Sequence, residues 1–347
     1  MRRFLYLACI SILFLTACDI HEWPSESQEH VPFLLHLDFN SEMSLHKEVT
    51  YTRGKGSTED SYDIRYMVNV YRTDGMRDEN RAADTSFIFT KEDLTELDHT
   101  LPLNLREGTY TFRVWTDFVR KGSQNDNFYD TRDFSEIILA DRHNHTGSTD
   151  FRDAFRGYSS ATVADPKRYT GTIKNEIDNS ATVPMMRPMG KFKFISTDTD
   201  AFRNMVVQMM QEKAKLISKA SDVDLSDYEI VFRYNHFMPC SFNMFTDKPA
   251  DSWEGMSFKS RMYKETEQET TLGYDYIFVN GSETTLSVSV EVYDKDGKLI
   301  SSTKPIDVPI VRNKLTVVKG DFLTSKATGG ITINPGYDGD DYNIEIF

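Results

Sequence analysis

REGTYTFRVWTDF, residues 106–118, carries the strongest β-strand signal in the chain. Apolar and polar residues alternate through it, and a period of two marks a strand with one buried face. The core-facing positions are Tyr110, Phe112 and Val114. Trp115 and Asp117 share the opposite face, so we predict that they form a platform on the outer surface of a sheet.

The same alternation recurs on both sides of this stretch and predicts a mainly β chain. Turn pairs such as Asp74-Gly75 and Asp296-Gly297 supply the positive φ that tight hairpins need. The 23 Phe and 17 Tyr also favour strands over helices. Strands at this spacing predict β-sandwiches. Further strands are predicted over residues 33–39, 47–53, 64–71, 87–89, 137–139, 191–195, 228–234, 274–279, 285–293, 306–311 and 315–319.

Three segments depart from the strand pattern. Apolar residues recur at helical spacing over residues 202–217, after a capping residue at 197–199, which predicts one helix crossing a sandwich. The polar residues 91–97 are a second, shorter helix candidate. Residues 141–182 are polar and predict a long loop, and a loop of that length usually carries function or covers a sheet edge.

The amino terminus has the parts of a secretory signal. Two arginines at positions 2 and 3 precede an apolar run over residues 4–15, and small residues follow before a cleavage site. The apolar run is shorter than the ~20 residues that span a bilayer.

Leu15-Thr16-Ala17-Cys18 resembles a bacterial lipobox, which implies cleavage before Cys18 and a diacylglycerol on its sulfur. Two or more acyl chains are what stable membrane anchoring requires. The alternative is an ordinary signal peptide with an incidental cysteine. The remaining length of roughly 330 residues suggests about two domains. We predict a signal peptide at 1–17, a lipidated tether at 18–31, an N-terminal β-sandwich at 32–186 and a C-terminal β-sandwich at 187–347.

The net charge and the cysteine content limit the kinds of partner and of covalent bond that the chain can have. The formal net charge is −14, which argues against nucleic acid as a partner and against direct adsorption to anionic lipid. Of the three cysteines, Cys9 would leave with the signal and Cys18 would be lipidated, so Cys240 would have no disulfide partner. We predict no cofactor, no metal and no disulfide.

No catalytic motif stands out. His143 and His145 come closest to a metal-binding pair, but loop histidines are the favoured interpretation because no matching ligand spacing accompanies them. Cys240 and His236 could act as nucleophile and base, yet nothing orders a third member, and a buried free cysteine is favoured. Acidic turn tips, which lack EF-hand spacing and are interpreted as solvated turns, occur at Asp294, Asp296, Asp338, Asp340 and Asp341.

Four stretches carry a family resemblance: residues 106–118, RDAFRG at 152–157, RPMGKFKF at 187–194 and RNKLTVVKGDFLT at 312–324. Together they resemble the fimbrillin superfamily of Bacteroidetes-type bacteria, and within it the FimB/Mfa2-like fimbrial lipoproteins, which include anchor subunits. The resemblance implies two transthyretin-like β-sandwich domains in tandem and a place on the outer membrane near a fimbrial base or tip. A scaffold role for the motif residues is favoured over a ligand role.

The functional hypothesis is a non-enzymatic, lipid-anchored fimbrial subunit of the outer membrane, an anchor or accessory protein. Its partners would be fimbrial pilin subunits, which it would contact through added β-strands, and the membrane. The alternative is a surface lipoprotein that binds glycans on exposed rings of Trp115, Tyr129 and Trp253. A surface hydrolase is a third hypothesis, without a motif. Residues 343–347 alternate as a terminal strand, which we predict pairs within its own domain.

Overall fold

The computed structural model describes residues 29–39, 62–73, 78, 82–92, 94, 96–170, 172–173, 177–212, 219–264, 266, 269–324, 331–336 and 344–346. The strands in chain order are β1 (Val31–Phe39), β2 (Tyr62–Arg72), β3 (Thr85–Lys91), β4 (His99–Leu105), β5 (Gly108–Arg120), β6 (Tyr129–Asp130), β7 (Ile137–Leu139), β8 (Phe155–Val163), β9 (Ser180–Met186), β10 (Met189–Ser196), β11 (Glu229–Tyr234), β12 (Met238–Pro239), β13 (Ser241–Asn243), β14 (Lys248–Pro249), β15 (Ser252–Trp253), β16 (Ser257–Arg261), β17 (Tyr263–Lys264), β18 (Thr270–Phe278), β19 (Glu283–Tyr293), β20 (Leu299–Ser302), β21 (Ile306–Val311), β22 (Leu315–Gly320), β23 (Ile331–Gly336) and β24 (Ile344–Ile346). Within these ranges one α-helix, α1 (Thr199–Glu212), accompanies short 3-10 turns at Asp150–Arg152, Pro166–Arg168, Ala220–Asp222 and Leu225–Asp227.

The first core lies inside one folded sheet, whose described strands run in the order β3-β2-β5-β8-β9-β1-β4. The sheet folds over where β8 meets β9, at the register pair Gly157–Met185. A Cβ on Gly157 would lie 2.4 Å from the Val183 side chain, so glycine is needed at this fold. Phe33 of β1 stacks on Phe112 of β5 with ring centroids 5.2 Å apart, which shows that the two layers face each other.

The second core lies between two sheets. Their described strands run in the orders β17-β18-β10-β22-β23-β24 and β16-β11-β19-β20, with β21 also paired to β19. Phe194 of β10 meets Phe232 of β11 across this core, with ring centroids 5.4 Å apart. Helix α1 adds Phe202, whose ring packs edge-on against Tyr228 at 5.1 Å.

The first half of the chain also contributes to the second core. Trp115 of β5 and Tyr129, Ile137 and Leu139 of the segment that follows it are all buried there. Strand β7 pairs with β13, so this segment joins a small sheet with the second half of the chain.

The prediction of a mainly β chain with two sandwich-like cores and a short helix is confirmed. The helix predicted at 91–97 is wrong for the described residues there, which form no helix. The loop predicted at 141–182 contains β8 and the start of β9, and β4 was not predicted at all. The predicted strand at 47–53, the turn Asp74-Gly75, and residues 213–217 of the predicted helix lie outside the described residues.

Strand β24 pairs antiparallel with β23, which places the end of the chain in its own sheet. The domain division at residues 186 and 187 stays a prediction.

Candidate functional site

Three of the four motifs meet between the two cores. Arg187, next to β10, donates from Nε to both carboxylate oxygens of Asp153 at 2.9 Å, and both side chains are almost fully buried. Arg187 Nη1 also donates to Asn313 Oδ1 at 3.2 Å, and Arg312 Nε donates to the Arg187 carbonyl oxygen at 3.0 Å. We call these residues the junction cluster. It joins RDAFRG, RPMGKFKF and the start of RNKLTVV, so we interpret these motifs as structural.

Gly190 completes this packing within RPMGKFKF. A Cβ at this position would lie 2.3 Å from the carbonyl oxygen of Val311, a distance that no side chain can occupy. Because the backbones of β10 and β21 approach so closely there, glycine is required.

A buried ionic group lies beside the junction cluster, and we call it the Asp275 cluster. Asp275 of β18 accepts from His145 Nε2 at 2.6 Å and from the Tyr234 hydroxyl at 2.5 Å, and it forms an ion pair with Arg152. The side chains of Asp275, Arg152 and His145 are each at most 3% exposed. The cluster therefore fixes the loop that carries Arg152 to the sheet of the second core.

Burial and charge compete in the Asp275 cluster. Burial would raise the pKa of the Asp275 carboxyl, but Arg152 and the hydrogen bonds from His145 and Tyr234 hold that pKa below its ordinary value. Burial, with the charge of Arg152, lowers the pKa of His145, so its ring is neutral at pH 7. Burial also holds the pKa of the Tyr234 hydroxyl well above its ordinary value.

Lys191 lies next to these groups and is fully buried. Its ammonium donates to Asp150 Oδ1 at 2.8 Å and lies 4.0 Å from the centroid of the Tyr274 ring. The Tyr276 hydroxyl donates to the same Asp150 oxygen at 2.9 Å. The lysine is therefore held by a carboxylate and an aromatic face, as a buried cation requires.

The turn between β13 and β14, which we call the docking turn, reaches from the second half of the chain onto the first sheet. The carboxylate of Asp247 accepts from Arg312 at 2.7 and 2.9 Å and from Arg156 of β8 at 2.7 Å. Burial opposes ionisation, but these two arginines keep the pKa of Asp247 below its ordinary value. Arg113 of β5 stacks on the ring of Phe245, with its guanidinium 4.3 Å from the centroid.

The predicted outer platform is wrong. Trp115 is 0% and Asp117 1% exposed, because the segment after β5 and the second core cover this face of the sheet. Asp117 instead accepts two hydrogen bonds from Arg65 of β2, at 2.8 and 2.6 Å.

Two of the three aromatic rings proposed to bind glycans are buried. Tyr129 packs against Trp115 with ring centroids 5.5 Å apart. Trp253 is partly buried, with the Arg142 guanidinium 5.6 Å from its ring centroid.

The other candidate residues do not assemble into a reactive site. Cys240 is buried, and burial raises the pKa of its thiol to about 12, whereas His236 is exposed. His145 belongs to the Asp275 cluster, and His143 lies in an exposed turn held by Asp141. Within the described part of the chain, no three His, Cys, Asp or Glu side chains are grouped so as to hold a metal ion.

The remaining residues singled out in the sequence are the acidic turn tips and the lipidation site. Asp294 accepts from the backbone amides of Asp296 and Lys298, which is the bonding of a hairpin turn. Asp338, Asp340, Asp341 and Cys18 lie outside the described residues. Among the residues described, no helix combines the length and apolar character needed to cross a membrane.

Two strands lie at the edges of the first sheet, as far as the described residues show. Strands β3 and β4 end the strand order, so each pairs with a described neighbour on one side. Phe87 and Phe89 of β3 pack against the core but are only partly buried, whereas Ile88 points outward and is 40% exposed. Strand β4 carries Pro102, which makes the addition of another strand less favourable because proline has no backbone N–H to donate. The β3 edge is therefore better suited to pairing with another strand.

Comparison with known proteins gives a family and a set of similar structures. A model of a family of unknown function, DUF6562, matches residues 28–346. No curated protein matches the chain.

Similar solved structures come from Porphyromonas and Bacteroides species. The fimbrial anchor protein Mfa2 from Porphyromonas gingivalis is 10% identical with a TM-score of 0.41, and the match covers 91% of this chain and 100% of that one. A candidate polysaccharide-binding protein (DUF1812) from Bacteroides thetaiotaomicron is 10% identical with a TM-score of 0.45, covering 90% and 98%. A candidate cell adhesion protein from Bacteroides ovatus is 14% identical with a TM-score of 0.45, covering 92% and 99%. The predicted resemblance to Mfa2-like fimbrial proteins is confirmed.

Proposed function

We propose that the chain, which belongs to the DUF6562 family of unknown function, is a lipid-anchored subunit of a cell-surface fimbria. It would occupy an anchor or accessory position on the outer membrane and would carry out no catalysis. The lipobox-like motif that ends at Cys18 supports the anchor, and the fimbrillin-like motifs support the fimbrial setting.

The observation that carries the subunit role is the edge position of β3, which pairs with a described strand on one side only. An edge strand presents a row of backbone donors and acceptors, and an extended segment of a partner can pair with them. Phe87 and Phe89 lie on the core side of this strand with their rings 6.3 Å apart and are only partly buried. A strand added beside β3 would cover these rings, so backbone pairing and apolar burial would act together.

The polar contacts between the two cores support a structural role. A subunit that links a membrane to a polymer must transmit force without its two halves separating. The junction cluster and the Asp275 cluster provide such a connection through buried charges, and the docking turn adds the partly exposed carboxylate of Asp247, which binds two arginines.

The edge hypothesis is tested by placing a charge on β3. Ile88→Lys should reduce co-purification of fimbrial polymer from detergent-solubilised outer membranes, because an outward lysine on an edge strand opposes strand addition. Met186→Lys is the matched control, since Met186 is 46% exposed in the same sheet but lies on the internal strand β9. Equal recovery of polymer with both variants would reject the β3 edge as the contact.

The anchor hypothesis is tested separately by Cys18→Ala. We expect the variant to lose incorporation of a palmitate analogue and to move from the membrane fraction to a soluble pool. Undiminished label in this variant would contradict lipidation at Cys18.

A further inference from the structure

We propose that the end of the first sheet where the tether enters is a membrane-contacting surface. Its residues, which we call the foot, are Leu34, Lys167, Arg168, Tyr169 and Ile173. The occupant is the bilayer that would hold the acyl chains of Cys18, so this inference rests on the proposed lipid anchor.

The path of the chain places the foot next to the tether. Glu29, where the described chain begins, is bound through its carboxylate to Lys167 Nζ at 2.7 Å. The eleven residues from Cys18 to Gln28 can span at most about 40 Å when fully extended. This end of the sheet is therefore held within about 40 Å of the lipid, whatever path the tether takes.

The opposite end of the sheet leads away to the second core. Strand β1 runs from the foot to Phe39, which lies beside Met185 of the parallel strand β9. The junction cluster begins two residues later, at Arg187. Contact at the foot would thus point the second core away from the membrane.

Apolar side chains are concentrated at the foot. Of the eight large apolar side chains that are exposed in the described part of the chain, three lie here: Ile173 at 59%, Leu34 at 46% and Tyr169 at 36%. Scattered exposed apolar residues need no explanation, but several at the end nearest a bilayer can enter its interface. Tyrosine suits this position, because its ring is apolar and its hydroxyl is polar.

The charges at the foot are compensated, in contrast to the whole chain, whose net charge is −14. Lys167 pairs with Glu29, and Arg168 Nη1 pairs with Glu107 Oε2 at 2.9 Å. The Tyr169 hydroxyl lies 3.4 Å from the other oxygen of Glu107. An acidic protein is repelled by anionic headgroups, and the positive charges of Lys167 and Arg168 offset part of that repulsion at this end.

The contact need not be strong. Because the acyl chains already hold the protein at the surface, the foot meets the bilayer at the high effective concentration that a short tether provides. A weak apolar contact then fixes orientation without adding much to membrane affinity. The consequence is an upright subunit whose second core faces the polymer.

The test uses the full-length acylated protein in vesicles of phosphatidylethanolamine and phosphatidylglycerol that contain brominated acyl chains. Ile173→Cys is labelled with a polarity-sensitive fluorophore, and Leu299→Cys in β20 is the matched control at an exposed apolar position of the second core. Cys240 is 0% exposed and is spared when labelling is done on folded protein. Tyr169→Cys gives a second label position at the foot in case Ile173→Cys does not fold.

We expect the foot label to shift to the blue and to lose about half or more of its fluorescence to bromine, because interfacial groups lie about 5–10 Å into the headgroup boundary. The label at residue 299 should be unaffected. If the protein floats with vesicles but the foot label is not quenched, or both labels are quenched equally, the foot is refuted while the anchor stands. If the label is shielded only after fimbrial polymer is added, the surface contacts protein and the membrane assignment is wrong. If the unsubstituted protein does not float, the anchor itself fails.

Discussion

Asp275→Asn should destabilise the folded chain strongly. The wild-type carboxylate accepts from His145 at 2.6 Å, from Tyr234 at 2.5 Å and from the Tyr276 amide at 2.8 Å, and it neutralises Arg152. Asparagine has nearly the same shape but no charge, and its NH2 group must point toward one of these donors. The substitution therefore leaves a buried guanidinium without a counter-charge.

Removing one partner of a buried ion pair costs about 3–5 kcal/mol. The weakened hydrogen bonds of His145 and Tyr234 belong to the same network, so their loss is already part of that figure and is not added to it. Each kcal/mol lowers Tm by about 2–4 °C in domains of this size, so we expect a loss of roughly 10 °C in a melt followed by circular dichroism at pH 7.

Two further variants separate charge from packing. Glu229→Gln removes a surface ion pair, in which the side chain of Glu229 is 44% exposed and that of Lys259 is 73% exposed. This variant should change Tm by about 1 °C or less. Asp275→Asn combined with Arg152→Met removes both buried charges, keeps an acceptor at position 275 and should recover part of the loss. If Asp275→Asn has the same Tm as Glu229→Gln, the Asp275 cluster does not stabilise the fold. If the double variant is as unstable as the single one, the loss does not come from the uncompensated charge of Arg152.

Three shorter predictions follow from the same contacts. Burial and Arg152 hold the pKa of His145 below about 6.5, against the opposing charges of Asp275 and Asp141, so the unfolded chain takes up the proton first and stability falls below about pH 6.5. His145→Gln should therefore lose less Tm than wild type between about pH 7 and pH 5, and equal losses would contradict this. Because burial raises the pKa of the Cys240 thiol to about 12, a thiol reagent should label Cys240 only after denaturation, and full labelling of the native protein would be inconsistent with the buried site. Because β24 pairs with β23, deleting residues 343–347 should lower Tm; an unchanged Tm with lost co-purification of fimbriae would mean that the strand is donated to a partner.

Local periodicity was sufficient to predict most strands of both cores. Strand β1 alternates along its whole length because only one of its faces packs against a core, whereas β2 and β5 are buried on both faces over part of their length. Strand β4 escaped prediction because Pro102 interrupts its alternating leucines, and proline argues against a strand unless it lies at an edge. Strand β8 escaped because small polar residues occupy much of it, as in its segment Ser159-Ser160-Ala161.

The error at Trp115 has a different origin. Alternation in β5 indicates that one face is buried, but it says nothing about what covers the other face. In the structure Trp115 packs into the second core, and Arg113 on the same face is covered by the docking turn. Both contacts are made by segments distant in sequence, so no local pattern could have predicted them.

The polar residues of the candidate site were missed for the same reason. Asp275 binds Arg152 across 123 positions and Asp247 binds Arg312 across 65. One signal was available: Asp275 is a single carboxylate within TTLGYDYIF, a strand buried along its whole length. A lone charge in such a strand requires a buried partner, although the sequence does not identify which one.

The structure gives a physical reason why three of the motifs are short, polar and widely spaced. Apolar packing between two sandwiches is tolerant of small rotations, whereas a bidentate guanidinium–carboxylate pair is directional. Arg187 engages Asp153 and Asn313 at once, and Asp247 engages Arg156 and Arg312 at once, so each contact bridges segments from both halves of the chain. Buried ion pairs contribute little net stability compared with apolar residues of similar volume, but they penalise any arrangement that separates the partners. The motif residues therefore specify how the two cores are joined more than how stably each one folds, and a fixed connection of this kind suits the proposed role of a subunit between a membrane and a polymer.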